Sequence, residues 1–318
     1  MNRARPSALL GAAPIWVAVV ALYLVAALVS PAFLSAAQVR NILQVTAFLG
    51  VVSLGQTIAL LVGGIDLSVG GVVTLVNILS TALMDGRAGS APQAIAICLA
   101  VGLAIGAGNG VLIAWLRVTP LIATLSSNAI LFGAALLYTG GAPHGHAAPG
   151  FQVLGQGALW GVPASTLCWI AIALGGLFLL GRTVFGRYLY AVGANPVAAH
   201  LMGVPVRGVL IAAYALSALM ASLGGLLLTA YIGNPSLGIG NQFLLTSVAA
   251  AVVGGTALTG GIGGIIGTLG GALFITEASS FTTIAHLSTG AQYVVQGVII
   301  AGSVVVYRAV TSGAARIA

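Results

Sequence analysis

Charge is what this sequence has least of. Ionisable Asp, Glu, Lys and Arg make up 4% of its 318 residues, against about 25% in an average soluble domain. A soluble fold of this size has no means of covering its surface with so few charges. The acids number three, Asp66, Asp85 and Glu277, and lysine is absent, so all ten cationic residues are arginine. Without lysine there is no G-x-x-x-x-G-K-[ST] phosphate loop, and hence no ATP site of that kind in this chain. Neither a Ser/His/Asp constellation nor an H-E-x-x-H helix occurs, which leaves an intramembrane enzyme without a nucleophile–base pair. Three acids are too few for a convincing proton relay. The two cysteines, Cys98 and Cys168, lie in apolar runs and read as packing residues. Whatever solute moves through this chain therefore draws its energy from another polypeptide.

Apolar sequence takes the place of charge, at 59% of the chain. The runs are continuous and not alternating, which excludes a closed barrel and predicts an all-α membrane protein. Ten spans of roughly membrane length follow: Pro14–Ser30, Ile42–Val62, Val69–Met84, Ala94–Leu116, Leu121–Tyr138, Thr166–Gly181, Gly208–Ile232, Phe243–Leu258, Ile262–Thr282 and Ala291–Tyr307. The N-terminal MNRARPSALL lacks a convincing cleavage site and reads as the start of an uncleaved first helix. With that end in the cytosol, Arg3, Arg5, Arg117, Arg182, Arg187, Arg207, Arg308 and Arg316 fall inside, and only Arg40 and Arg87 fall outside. The positive-inside rule thus puts both termini in the cytosol and explains the net charge of +7 without nucleic acid. Residues 1–318 form one multi-pass transmembrane domain, and the Gly/Pro/Ala-rich loop 140–165 is expected to lie extended over the outer mouth.

One cytosolic stretch, 182–207, is more elaborate than a connection needs. Asn195 is placed to cap a short helix, Pro196 suits its first turn and Gly203 its left-handed exit. Val197 and Leu201 stand one turn apart on it, as do Ala198 and Met202; His200 reads as a contact residue. This is a rigid docking element for a soluble partner.

Polar residues inside the spans are the other candidates. Asp66, in LLVGGIDLSVGG, sits among helix-breaking glycines, where a carboxylate is costly and points to function. It is placed either to cap the third span near Ser68 or to act in a gate or pathway. Thr124, Ser126, Ser127 and Asn128 suit contact with a neutral polyol, or equally hydrogen bonding between helices, and Gln56 has the same standing. Glu277 either faces the pathway or snorkels to the outer surface. His144 and His146 have no carboxylate or cysteine beside them and predict a surface loop rather than a metal site. Glycines spaced by four (Gly102, Gly106, Gly110; Gly263, Gly267, Gly271) predict close helix packing, within one subunit or between two.

GGIDLSVGG at 63–71, VTPLIATL at 118–125, GRYLYAVGANPVAAHLMGV at 186–204 and AVVGGTALTGGIGGIIGTLGGAL at 251–273 resemble the permeases of ribose/xylose/arabinose-type, binding-protein-dependent ABC importers. The likeness runs through nearly the whole chain in order. It implies a type II-like permease of ten helices in the bacterial inner membrane that pairs with a second permease subunit. It also implies a periplasmic sugar-binding protein outside, and a cytosolic ATPase subunit that holds the ATP and magnesium, with no cofactor in this chain. The ATPase would be coupled through Gly186, Arg187, Gly193, Asn195, Pro196, Ala199, His200, Leu201 and Gly203. Two departures leave the sugar open: Leu244-Leu245-Thr246 stand where such permeases often carry an acidic pair, and Ser280-Phe281 where they often carry Asn-Gly. The other class in play is a stand-alone secondary transporter or channel, and the glycine breaks at 63–71 and 254–264 do not fall at equivalent places in two halves, as an inverted repeat would require.

Overall fold

A computed structural model describes residues 7–285 and, beyond them, 287, 288, 290–292, 294, 295, 297, 298, 301 and 302. The chain order is α1 (Ser7–Val29), a 3-10 turn (Pro31–Leu34), α2 (Ala36–Leu61), α3 (Val69–Met84), α4 (Ala91–Ala114), α5 (Pro120–Thr139) and α6 (Pro149–Gln156). A two-residue hairpin follows, β1 (Ala158–Leu159) with β2 (Val162–Pro163), paired antiparallel. Then come α7 (Ala164–Arg182), α8 (Val184–Ala194), α9 (Pro196–Leu201), α10 (Val206–Ile232), α11 (Asn241–Val253) and α12 (Ile265–Ile284).

Six of these helices are long and apolar enough to cross a membrane, and Ala13–Val29, Val69–Met84 and Asn241–Val253 are shorter apolar helices. Nine of the ten expected spans thus have a helical counterpart; the tenth, Ala291–Tyr307, lies largely outside the described residues. The eighth span is corrected at its end. α11 stops at Val253 and residues 254–264 form a loop, because successive glycines there hold backbone angles closed to other residues, with φ of +92° at Gly255 and +88° at Gly260. Thirteen helical residues rise only about 20 Å, short of a bilayer core. The loop 140–165 is also not extended: it folds into α6 and the hairpin, with Phe151 and Gly155 of α6 buried.

α10 is the hub, packing on α4, α2 and α3. Its contact with α4 runs along the glycine ladder. A Cβ at Gly102 would strike Ser222 Oγ, one at Gly106 the Tyr214 carbonyl oxygen, and one at Gly110 would come to 2.5 Å of Ile211 Cα. The second ladder works inside the chain too, Gly267 lying on the Gly254 carbonyl and Gly271 on that of Ala250; Gly263 belongs to the loop before α12. Close packing within one subunit is therefore what both ladders do here.

The connections gather at two ends. At one, residues 61–68 meet 254–264, where Gly261 N–H donates to Leu61 O at 3.0 Å. The α8–α9 segment joins them, with the Tyr190 hydroxyl donating to Gly263 O at 2.9 Å. At the other, Gly86 N–H donates to His146 O (2.8 Å) and Ala147 N–H to Gly233 O (2.9 Å), and His146 Nδ1 lies 2.8 Å from Asn234 Oδ1. Arg117, Arg182, Arg187 and Arg207 flank the helix ends of the first group, and the Arg207 guanidinium stacks 4.8 Å over the Trp115 ring. Arg40 and Arg87 belong to the second.

The α4–α10 seam separates two glycines by function. Gly106→Val is expected to lower stability by about 1–3 kcal/mol through overpacking, whereas Gly108→Val, at a site with nothing within 4 Å, is expected to leave it unchanged. Thermal unfolding of the purified chain in detergent checks both, and equal midpoints would show that the seam is not tight.

Candidate functional site

The docking stretch forms as its residues require. Thr183 caps α8, its Oγ1 accepting from Gly186 N–H at 3.0 Å. Asn195 breaks the helix in extended conformation (φ −163°, ψ 103°) and caps the next, its Oδ1 accepting from Val197 and Ala198 N–H, both at 3.0 Å. Pro196 opens α9, where a missing N–H costs nothing. Gly203, at φ +82°, closes it with a bond from its N–H to His200 O of 3.0 Å. Sequence reasoning finds α9 and misses α8, an eleven-residue helix that carries it.

The residues expected to couple an ATPase divide into exposed and inward-facing ones. Asn195, Pro196, His200 and Leu201 are exposed, as is Arg187. Gly186 and Ala199 are buried, and Gly193 faces inward against the Leu61 carbonyl oxygen. α9 consequently presents a blunt apolar tip, with Val197, Leu201 and Met202 at 70%, 81% and 84% exposure. Apolar side chains this exposed, on a helix pinned at both ends, form a surface ready to enter a groove.

The second group surrounds the break between α2 and α3. Asp66 is fully buried. Its Oδ1 accepts from Ser68 N–H (2.9 Å) and Ser68 Oγ (2.5 Å), a local turn that leads the chain into α3. Ser68 stands immediately before that helix, so Asp66 shapes the entry to α3 by holding Ser68. Asn109 of α4 donates to Ser68 Oγ at 2.9 Å and accepts from Ser127 of α5. Thr124 donates to Ile65 O at 3.2 Å, and Asn128 Oδ1 accepts from Gly71 N–H at 2.7 Å. Gln56 sits fully buried beside the same turn. With its amide turned to satisfy both neighbours, its nitrogen lies 2.9 Å from Asp66 O and its oxygen 3.2 Å from Asp66 N.

Gln56, Asp66, Ser68, Thr124, Ser127 and Asn128, scattered along the sequence, thus gather around the 65–71 turn. Several of their polar atoms bond to neighbouring helices and turns, whereas Asp66 Oδ2 is buried without a hydrogen-bond partner among the described residues. Ser126 is exposed instead. Glu277 stands apart on α12 at 4% exposure, so it does not snorkel to the surface. Asn109 is the member that sequence reasoning misses, and its signal is an amide inside the ladder Gly106–Gly110. A comparable clasp at the opposite end is missed too: Asn77 donates to Thr229 Oγ1 (3.0 Å) and Asn234 O (3.2 Å) and accepts from Ser236 N–H (2.8 Å). No group of three or more potential metal ligands occurs among the described residues.

Asn109→Ala strips partners from both Ser68 and Ser127 at a buried position. The expected loss is about 1–3 kcal/mol for buried polar groups left unpaired, read as a lower unfolding midpoint in detergent. Asn109→Asp, which keeps the acceptor for Ser127 but buries a second carboxyl near Asp66, is expected to lose at least as much; no change in either variant would mean the bonds are not made.

Comparison with known proteins agrees with this architecture. Residues 38–304 match the family described as branched-chain amino acid transport system / permease component. The chain is 35% identical to the ribose import permease protein RbsC of Escherichia coli (strain K12) over 91% of each chain. It is 34% identical to RbsC of Bacillus subtilis (strain 168), over 88% of this chain and 87% of that one. The xylose transport system permease protein XylH of Escherichia coli (strain K12) is 29% identical over 85% and 84%. No solved structure matches. A match across most of the chain, on a bundle with six long apolar helices, makes this protein a multi-pass member of the ABC-importer permease family of which those sugar permeases are part.

Proposed function

We propose that this chain is the membrane-spanning subunit of an ABC importer in the bacterial inner membrane, carrying a monosaccharide of the ribose or xylose kind inward. A separate cytosolic ATPase subunit supplies the energy, a periplasmic sugar-binding protein delivers the solute, and a second permease subunit completes the passage. The observation that carries this reading is α9: a capped, exposed, apolar-tipped helix at the end that holds four of the six described arginines. The positive-inside rule makes that end cytosolic. Ten spans with both termini inside are consistent with it, since α2 and α10 then run in opposite senses between the two loop groups.

The second subunit has a physical rationale. Apart from Asp66 Oδ2, the bonds of the Asp66 cluster go to side chains and backbone of the same chain, so a polyol finds few free partners within a single copy. A passage between two copies avoids breaking that network. The names of the curated relatives, ribose and xylose permeases, support the substrate class.

Replacing Asn195-Pro196 by Gly-Gly removes the side-chain cap, at a cost of about a few tenths of a kcal/mol when glycine takes its place, and frees the backbone angle that the proline fixes. Uptake of labelled sugar in proteoliposomes is expected to drop and less ATPase subunit to co-purify; wild-type values for both would remove α9 from the mechanism. Leu201→Cys, in a background without Cys98 and Cys168, is expected to react with a membrane-impermeant maleimide in inverted vesicles but not in spheroplasts. The reverse pattern would put α9 outside the cell and overturn the reading.

A further inference from the structure

Between α9 and the Asp66 turn, three stretches of backbone touch without side chains between them. Leu61 ends α2, so its carbonyl lacks a helical partner; it accepts from Gly261 N–H at 3.0 Å. Gly193, two residues before the α9 cap, covers the same carbonyl: a Cβ there would overlap Leu61 O and stand 2.5 Å from Gly261 N. The contacts are reciprocal. A Cβ at Gly261 would come within 2.9 Å of Ala194 N, and one at Gly260 within 2.8 Å of Gly63 N and 3.0 Å of Gly193 O. Tyr190, one turn before the end of α8, fastens the loop from the side through Gly263 O.

Packed backbone has no rotamers with which to absorb a displacement, so a shift of α8 and α9 must pass into what they touch. What they touch is Leu61, five residues before Asp66, and the loop that precedes α12. From Asp66 the bonds through Ser68, Asn109 and Ser127 reach α4 and α5. We infer that Gly193 is a positioning residue for transport, and that the Gly193–Leu61–Gly261 junction hands motion of the docking helix to the Asp66 turn. This rests on the reading of α9 as the ATPase contact. The competing route runs through α8 packing on α7 and α10, and would leave the Asp66 turn unaffected.

The test uses the full permease with its ATPase and binding protein in nanodiscs and in proteoliposomes. Co-purification, ATP hydrolysis and uptake are measured, with amide exchange over residues 61–71 before and after trapping with ATP and vanadate. In the unaltered complex, trapping is expected to change exchange over 61–71. Gly193→Ala is expected to keep the ATPase bound and hydrolysing, to lose that change, and to lower sugar moved per ATP about tenfold, within the range of coupling between distant sites. Tyr190→Phe, a milder change, is expected to weaken both effects in the same direction, and it decides the matter should Gly193→Ala fail to assemble. Wild-type uptake per ATP with a full exchange response in the deciding variant would overturn the proposal. So would a trapped wild-type complex with no change over 61–71. If the unaltered chain binds no ATPase, the docking reading fails first, and it does so before any substitution is made.

Discussion

An interrupted helix in a membrane protein frees N–H and C=O groups that lipid cannot satisfy, and only protein or enclosed water can take them. This chain interrupts itself between α2 and α3 and again between α11 and α12, at the same end, where a backbone bond joins the two interruptions and side chains of α2 and α5 take further groups. Leu61 O takes Gly261 N–H. Gln56 serves both backbone groups of Asp66, Thr124 the carbonyl of Ile65, and Asn128 the N–H of Gly71. A buried polar group left unpaired costs about 1–3 kcal/mol, so these side chains are as much a condition of the break as a consequence of it.

Asp66 takes its meaning from that exchange of partners. A carboxylate at this depth is expensive on its own, but here it is the organiser of a turn: one oxygen accepts both donors of Ser68, and Asn109 and Ser127 extend the chain of bonds across α4 and α5. Networks of this kind reinforce one another in a low dielectric and fail together when one member is removed. The opposite end is built differently. There Asn77 and Asn234 tie helix to loop, and two of the described arginines stand there against four at the first end. One end thus carries most of the described arginines and the exposed tip of α9, the other the asparagine clasp.

Most of the helical layout is legible in the sequence because its signals are local: apolar length, the Asn195-Pro196 cap and the Gly203 exit all act within a few residues. Val69–Met84 is bounded to the residue. The end of α11 is misplaced because Gly254 and Gly255 follow an apolar run that hydropathy alone continues through Leu258. α8 escapes because its eleven residues carry glycine at both Gly186 and Gly193, a composition that argues against a helix until their packing is known. The Asp66 cluster is legible as residue types and not as a cluster. Nothing in one sequence shows that Gln56, Asn109 and Ser127 converge, since that depends on which helices adjoin. Asn109 shows this most plainly: beside Gly106, Gly108 and Gly110 it looks incidental, and in the fold it ties α3 to α5.

Two uses of glycine that a motif cannot distinguish come apart in the fold. In the coupling stretch, Gly203 is needed for its left-handed turn, while Gly193, whose φ is not positive, is needed because another backbone occupies the place of its side chain. The first kind tolerates any residue that adopts the turn at modest cost, Asn being the natural one. The second tolerates none without moving α2 or the 254–264 loop. A stretch that reads as one motif is therefore two things in sequence, an exposed apolar tip and a glycine whose side-chain place is filled by other backbone. The mechanical constraint falls on the inner half of the motif, next to the turn whose hydrogen bonds hold three helices in register.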